Sequence, residues 1–268
     1  MHKEQRAALV LSGGGALGAA HIGVLKVLEE HNWSCDFFAG VSAGSIIAAL
    51  AACGKRHKEI KQILDEVNFF TLAFDFRKAQ FALLRGDKVK RLVDSILGET
   101  TFADLPLPLL IGATDFATGE RVVLAQGKVA DAVRASISVP LVFEPFFHPD
   151  EKRWLVDGGL SQNLPLDLAL KGYNGGTIVA VDVATSMDSQ VDFGSAPNKI
   201  RAKNMLETLQ RTLHIILLNQ QAHFPVDSRV VAIRPHLEQY SAIDVFRLEE
   251  IMRRGEEAAA AALAEFPY

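Results

Sequence analysis

Two glycine-rich turns near the start of the chain, each lying between an apolar run and a helix-like stretch, constrain its fold more than any other feature. The first is Ser12-Gly13-Gly14-Gly15-Ala16-Leu17-Gly18 and the second is Gly40-Val41-Ser42-Ala43-Gly44. Residues 7–11 before the first turn and residues 36–39 before the second are apolar enough to form short buried strands. The repeated order of strand, turn and helix predicts an α/β fold.

The two turns carry complementary chemistry. A G-x-S-x-G turn can hold the hydroxyl of Ser42 exposed between a strand and a helix. The glycine loop can present bare backbone N–H groups at the start of a helix, where negative charge is favoured. Ser42 itself precedes an apolar helix predicted over residues 45–53 and closed by Gly54. Together the turns predict a nucleophile beside an oxyanion site.

A third feature is an aspartate placed on a double glycine. In Arg153-Trp154-Leu155-Val156-Asp157-Gly158-Gly159 a mostly apolar run ends at Asp157, which predicts a carboxylate at the end of a strand. Open α/β sheets keep their functional sites at strand ends. An ordinary Asp-Gly turn is the alternative interpretation.

The rest of the chain continues to alternate between helix-like and strand-like segments. Residues 177–183 form a β-branched run typical of a parallel strand that is covered on both faces. Residues 109–113 and 121–124 flank a turn-like segment and predict a hairpin or a paired strand. Further helices are predicted over residues 58–67, 88–97, 198–221 and 245–265, and a further strand over residues 229–233.

Length and charge limit the classes of protein to consider. The chain has 268 residues, of which 49% are hydrophobic, and its formal net charge is −4. This length can bury one large core, so we predict a single domain over residues 1–268, with its core at about 7–235 and a C-terminal helix at about 245–265. Lysine and arginine are scattered without a basic block, which argues against a nucleic-acid partner.

The sequence also predicts the compartment. It contains no run of about 20 apolar residues, and residues 1–6 lead into the first strand without a signal-peptide pattern. Cys35 and Cys53 show neither the spacing of metal ligands nor a disulfide framework. We therefore expect a cytoplasmic protein that uses no metal or other cofactor.

Four motifs in this order carry a resemblance to a known family. The glycine loop, the Ser42 turn, Ala135-Ser136-Ile137-Ser138-Val139-Pro140 and Asp157-Gly158-Gly159 are similar to the signatures of the bacterial patatin-like phospholipases. The resemblance extends from about residue 7 to about residue 235. It implies a three-layer α/β/α sandwich with a central, mostly parallel sheet.

The resemblance also implies roles for particular residues. Ser42 would be the nucleophile and Asp157 the general base of a Ser-Asp dyad that hydrolyses acyl esters of lipids. Gly13, Gly14 and Gly15 would form the oxyanion hole. An aspartate with an ordinary pKa near 3.9 is a weak base, so we expect its burial to raise that pKa. The chain departs from many family members at Leu17, where they carry a basic residue, which puts a head-group contact from this loop in doubt.

The expected partner is a lipid or ester substrate, whose head group and chain length the motifs leave open. A phenylalanine-rich segment follows the third predicted helix. It predicts one of two roles: packing in the core, or forming an acyl-chain pocket or a flap that touches a membrane surface transiently. Its members are Phe69, Phe70, Phe74, Phe76 and Phe81. The motifs do not predict the oligomeric state.

Other functions stay open at this point. The glycine loop also fits the dinucleotide-binding pattern G-x-G-x-x-G, with Asp36 as the ribose-binding acid, although Asp36 begins its predicted strand instead of ending it. A Ser-Asp-His triad would use Ser42, Asp157 and a later histidine, although few strands fit before its nucleophile. A non-catalytic protein that binds nucleotides or lipids could retain the same site. The candidate histidines are His214, His223 and His236.

Overall fold

A computed structural model describes residues 5–67, 86–184 and 227–265, together with seven helical positions between residues 208 and 220. The phenylalanine-rich segment lies outside the described residues, as do His214, His223 and most of the helix predicted over residues 198–221.

The described residues contain eight strands and seven α-helices, with short 3-10 turns between some of them. The strands are β1 Gln5–Leu11, β2 Trp33–Val41, β3 Leu109–Asp115, β4 Arg121–Leu124, β5 Phe146–His148, β6 Arg153–Asp157, β7 Thr177–Val181 and β8 Val230–Ile233. The helices are α1 Ala19–Glu30, α2 Ala43–Ala52, α3 His57–Glu66, α4 Asp87–Leu97, α5 Val129–Ser136, α6 Leu166–Gly172 and α7 Leu248–Glu265. The 3-10 turns are Gly15–Gly18, Phe102–Asp104 and Gly158–Leu160.

All eight strands join one sheet. Its order is β5-β6-β3-β2-β1-β7-β8, and β4 pairs with β3 outside this path. The five strands from β3 to β8 along the path are parallel, whereas β4, β5 and β6 pair in antiparallel fashion. The strand order reverses at β1, so the glycine loop that follows β1 lies at the topological switch point, where doubly wound sheets bind ligands.

Successive residues of β1 point into two different apolar cores. Ala7, Leu9 and Leu11 pack in the larger core with residues of α1, α2 and α7, while Ala8 and Val10 pack on the other face with residues of α6. Because side chains alternate across a strand, a strand buried throughout must be covered on both sides. This arrangement confirms the three-layer α/β/α fold.

The C-terminal helix holds the first helix in place. A Cβ on Gly23 of α1 would meet the Met252 carbonyl of α7, and one on Gly255 of α7 would meet the Ala20 carbonyl of α1. Glycine at both positions lets the two backbones approach closely. Since α1 begins at the glycine loop, this packing also fixes the helix that the loop opens onto.

The predicted elements that lie within the described residues are present with shifted ends. The strand predicted over residues 36–39 spans Trp33–Val41. It is longer than predicted because every residue of β1 pairs with a β2 residue between Trp33 and Gly40. The residues predicted as a hairpin form the antiparallel pair β3 and β4. Within the described residues, no helix is both long enough and apolar enough to span a membrane.

Candidate active site

The sheet register brings Ser42 and Asp157 together. β2 pairs with β3 as far as Gly112, and β6 pairs with β3 from Ala113 onwards, while β4 pairs with residues 111–114. A strand can pair only along its two edges. The β3 residues that pair with β4 include residues that also pair with β2 and with β6, so β4 occupies one edge of β3 and β2 and β6 share the other. The carboxyl ends of β2 and of the antiparallel β6 therefore face each other along this edge of β3. Asp157, at the end of β6, lies next to Ser42, which follows β2.

Ser42 and Asp157 are joined by a short hydrogen bond. The Ser42 hydroxyl donates to Asp157 Oδ2 at 2.6 Å, and the Gly159 N–H donates to Asp157 Oδ1 at 2.8 Å. The two side chains lie almost entirely inside the protein, with Ser42 8% and Asp157 6% exposed. A serine and a carboxylate in this geometry can exchange a proton directly.

The backbone of Ser42 adopts a strained conformation. Its φ of 50° and ψ of −125° lie in a region that is mostly populated by glycine. The Ser42 N–H donates to Ser136 Oγ at 2.8 Å, and the Ser42 carbonyl accepts from the N–H and the hydroxyl of Ser45 at 2.9 and 2.6 Å. A Cβ on Gly44 would lie 2.6 Å from the Ser12 carbonyl, which explains a glycine in this turn. The turn is held from three directions.

Burial changes the acidity of the carboxylate. It raises the pKa of Asp157 to about 6, although the hydrogen bonds from Ser42 and Gly159 oppose the shift. A carboxylate with this pKa is still mostly ionised at neutral pH and binds a proton more tightly than a solvated aspartate does. The structure thus supplies the burial that a Ser-Asp pair requires.

The glycine loop lies directly beside the serine. A Cβ on Gly13 would be 2.9 Å from Ser42 Cβ. The Gly13 N–H donates to the Asn163 carbonyl at 3.3 Å, whereas the N–H groups of Gly14 and Gly15 meet no acceptor among the described residues. Two of the three predicted oxyanion donors are therefore free to bind a ligand atom, and the third is engaged in a long hydrogen bond.

Ser12 anchors the glycine loop to the neighbouring strand and helix. Its N–H donates to the Val181 carbonyl at 3.1 Å, and its hydroxyl accepts from the Val183 N–H at 2.9 Å. The Ser12 carbonyl lies 2.9 Å from His21 Nε2. Burial lowers the pKa of His21 to about 4, so this imidazole is neutral and donates through Nε2. His21 supports the loop from α1.

Known proteins resemble this chain over most of its length. The sequence model described as patatin-like phospholipase matches residues 9–170. The chain belongs to this family. An uncharacterized NTE family protein of Mycobacterium tuberculosis is 31% identical over 97% of this chain and 46% of the relative. Patatin-like phospholipase domain-containing protein 6 of Mus musculus is 27% identical over 91% of this chain and 19% of its own length. The chain spans less than half the length of these curated relatives.

Two solved structures share the fold at low sequence identity. VipD from Legionella pneumophila superposes with a TM-score of 0.66 and 16% identity, over 98% of this chain and 67% of VipD. ExoU of Pseudomonas aeruginosa, solved in complex with SpcU, gives a TM-score of 0.53 and 19% identity, over 98% of this chain and 53% of ExoU. At these identities the likeness concerns the arrangement of sheet and helices.

Other residues singled out in the sequence lie away from this patatin-like site. The side chain of His236 is 89% exposed and lies 3.8 Å from a Glu238 carboxylate oxygen, and no histidine of the described segments forms a hydrogen bond with Ser42 or Asp157. Asp36 lies in the first half of β2 and pairs with Arg6. Across the described part of the chain no cluster of acidic, histidine and cysteine residues could hold a metal ion.

The site contains residues that the sequence argument missed. The sequence indicates Ser45 only as the start of an apolar helix and Ser136 only as part of a motif, and it gives no signal for Asn163. Leu17, at the position where many family members carry a basic residue, is buried in the larger core. The position of Ser136 in a motif with two serines was the one available hint.

Proposed function

We propose that this protein is a serine acyl hydrolase that cleaves carboxylic esters of lipids through an acyl-enzyme. The observation that carries the proposal is the 2.6 Å hydrogen bond from the buried Ser42 hydroxyl to Asp157. Membership of the patatin-like phospholipase family supports a lipid hydrolase. The Ser-Asp dyad and the ester class go beyond that membership.

In the first half of the reaction, Asp157 accepts the proton of the Ser42 hydroxyl while Ser42 Oγ forms a bond to the ester carbonyl carbon. Electrons move onto the carbonyl oxygen, and the N–H groups of the glycine loop stabilise that charge. The tetrahedral intermediate then breaks its bond to the alcohol oxygen. Asp157 returns the proton to this leaving oxygen, and the acyl group remains on Ser42.

In the second half, water replaces the alcohol. Asp157 accepts a proton from the water molecule as its oxygen attacks the acyl carbon, and the bond to Ser42 Oγ breaks. The proton passes from Asp157 to Ser42 Oγ, which restores the starting state and releases a fatty acid. A base with a pKa of about 6 suits both halves, because it is ionised at rest and holds a proton during the transfer.

The oxyanion site is best built from the N–H groups of Gly14 and Gly15. They have no acceptor among the described residues, whereas Gly13 is bound to the Asn163 carbonyl. Gly13 can contribute if its 3.3 Å hydrogen bond is exchanged for one to the substrate oxygen. Each such donor typically contributes about 3 kcal/mol to the stabilisation of the transition state.

Exposed apolar side chains near the dyad support a lipid substrate. Leu141, 53% exposed, lies three residues beyond Ser138, whose carbonyl accepts the Asp157 N–H. Ile243, 54% exposed, follows Ala242, which contacts the glycine loop through the Ala16 N–H at 2.8 Å. Exposed apolar residues in the segments that bond to Asp157 and to the glycine loop suit a substrate with an acyl chain better than a small polar ester.

The same end of the sheet carries an aromatic cluster that we assign to transient contact with a lipid surface. Phe147 and Trp154 pack edge to face at 5.3 Å, and the Phe116 N–H donates to the Trp154 carbonyl. All three residues are exposed. Trp154 lies on β6, Phe147 on the neighbouring β5 and Phe116 directly after β3, beyond Gly112, where the pairing of β3 with β2 ends. Exposed aromatic rings are favoured at membrane interfaces.

A fluorophosphonate probe followed by a panel of p-nitrophenyl esters of rising chain length tests the proposed chemistry. We expect the probe to label Ser42 alone and hydrolysis to favour longer acyl chains. Labelling of another serine, or none in the folded protein, would contradict an acyl-enzyme at Ser42.

Flotation with phosphatidylcholine vesicles tests the surface contact, with Trp154→Ala expected to bind less and Val123→Ala, on β4, as the control. Equal binding by both variants would contradict the contact.

A further inference from the structure

The motif at residues 135–140 is not used by the reaction as described, yet it contacts both members of the dyad. The Ser136 hydroxyl accepts a hydrogen bond from the Ser42 N–H at 2.8 Å and donates one to the Gly112 carbonyl at 2.6 Å. Ser136 is fully buried. Its hydroxyl thus joins the nucleophile's backbone to β3, the strand beside which both β2 and β6 end.

Two residues later the same segment holds the base. The Ser138 carbonyl accepts the Asp157 N–H at 3.0 Å. The Ser138 hydroxyl donates to the Arg134 carbonyl at 2.8 Å and also bonds with the Arg134 guanidinium. Arg134 is buried against the rings of Phe143 and Phe146, with its guanidinium carbon 5.7 and 5.5 Å from their centres. The segment is therefore fixed where it meets Asp157.

We propose that residues 136–138 set the separation between the nucleophile and the base, with Ser136 as the positioning residue for Ser42. The proposal rests on the proposed Ser-Asp chemistry. It explains why one short segment contacts Ser42 through a side chain and Asp157 through its main chain. Ser42 directly follows β2 and Asp157 ends β6, and these strands do not pair with each other. The segment supplies the tie between their ends.

The conformation of Ser42 makes the hydroxyl of Ser136 important. A backbone with φ near 50° persists only where its surroundings hold it. Ser136 provides the acceptor for the Ser42 N–H, and without it a buried donor would lose its partner. The turn could then relax, and the Ser42 hydroxyl would move away from Asp157.

Ser136→Ala tests the proposal through a pH profile. We expect kcat/KM for a p-nitrophenyl ester to fall about 10- to 100-fold with KM changed less than about twofold, because one buried hydrogen bond that sets the reacting geometry is lost. The hydrogen bond from Ser42 lowers the pKa of Asp157. Loosening that bond should therefore move the acid limb of the profile to higher pH, and slow fluorophosphonate labelling of Ser42.

Ile60→Val is the matched control, because it removes one buried methyl group from α3 and costs comparable stability. It should keep the wild-type pH profile. A folded Ser136→Ala protein with wild-type kcat and midpoint, or with a change in KM alone, would overturn the proposal. If that variant fails to fold, Ser136→Cys keeps the side-chain shape with a weaker hydrogen bond. Wild-type kcat and pH midpoint in Ser136→Cys would equally overturn the proposal. Absence of Ser42 labelling in the wild type would instead refute the proposed function.

Discussion

Ser12 and Ser42 occupy similar places in the fold and differ in what their hydroxyl groups meet. Each follows a strand of the parallel sheet, precedes a helix and is buried. The Ser12 hydroxyl accepts a hydrogen bond from the Val183 N–H, whereas the Ser42 hydroxyl donates to the Asp157 carboxylate. A hydroxyl that donates to a buried base can lose its proton, while one that accepts from an amide holds a loop.

The backbones around the two serines differ in the same sense. Ser42 has a positive φ, and its N–H and carbonyl are both bound by serine side chains. After Ser12 the chain instead leaves the N–H groups of Gly14 and Gly15 without acceptors among the described residues. One strand–turn–helix unit therefore presents a side chain and the other presents bare amides. The two together make a site that neither could form alone.

The sharpest test of this difference is Ser42→Ala. We expect hydrolysis of p-nitrophenyl esters to fall by at least about 10⁴-fold and fluorophosphonate labelling to disappear, because no other hydroxyl replaces the attacking oxygen. The fold should persist, as measured by circular dichroism. Substantial residual turnover in pure variant protein would place the nucleophile elsewhere.

Asp157→Asn should have the next largest effect on activity. An amide cannot accept the serine proton, so we expect kcat to fall about 10³-fold or more. In the wild type, kcat/KM should decline as pH falls through about 6, where Asp157 becomes protonated. His236→Gln is the control and should stay within a few-fold of wild type. A loss from His236→Gln as large as that from Asp157→Asn would support the triad.

We also expect Asp157→Asn to change the free energy of unfolding by an amount that depends on pH. The pKa of Asp157 is raised from 3.8 to about 6, so the folded protein binds this proton more tightly than the unfolded chain does. Its free energy of unfolding therefore decreases as pH rises from about 4 to 6. Asp157→Asn removes this penalty and should be about 1–3 kcal/mol more stable than wild type at pH 8, but not at pH 4. Equal stabilisation at both values, measured by urea unfolding, would contradict the buried carboxylate.

Gly14→Ala tests the glycine loop. An added Cβ would lie 2.6 Å from Val183 Cγ2, so the loop must shift and move its free amides. We expect kcat to fall about 10- to 1000-fold with KM little changed, because in the proposed reaction these amides stabilise the transition state. Gly54→Ala is the control. Gly54 has a φ of 84° and no atom within 4 Å of an added Cβ, so alanine there strains the backbone without meeting a neighbour. If both variants lose the same activity, general destabilisation explains the result.

Much of this site could be predicted because its residues lie in local patterns. The turns around Ser42 and after Ser12 show their strand and helix neighbours directly in the sequence. Asp157 on Gly158-Gly159 marks a strand end, and the family resemblance links it to Ser42. The burial of Asp157 was also expected, because a Ser-Asp pair needs a stronger base than a solvated aspartate.

Contacts between distant segments could not be predicted in the same way. The hydrogen bond from the Ser42 N–H to Ser136 spans 94 residues, and the one from the Asn163 side-chain amide to the Gly13 carbonyl spans 150. Such contacts depend on the strand order, above all on β6 meeting β2 at one edge of β3. The extent of β2 was underestimated for a related reason, since pairing with β1 extends a strand beyond its apolar residues.

The smallest change in activity is expected for Ser12→Ala. The hydroxyl accepts the Val183 N–H in a fully buried place, and its loss leaves that donor unpaired at a cost of about 1–3 kcal/mol of stability. The Ser12 N–H and carbonyl keep their bonds to Val181 and His21, so the glycine loop should stay in position. We expect kcat to remain within about tenfold of wild type, since only part of the loop's support is removed. Urea unfolding and ester hydrolysis measured on the same preparation separate the two effects. A folded variant with a loss close to that of Ser42→Ala would show that Ser12 acts on the substrate, and the distinction between the two serines would be wrong.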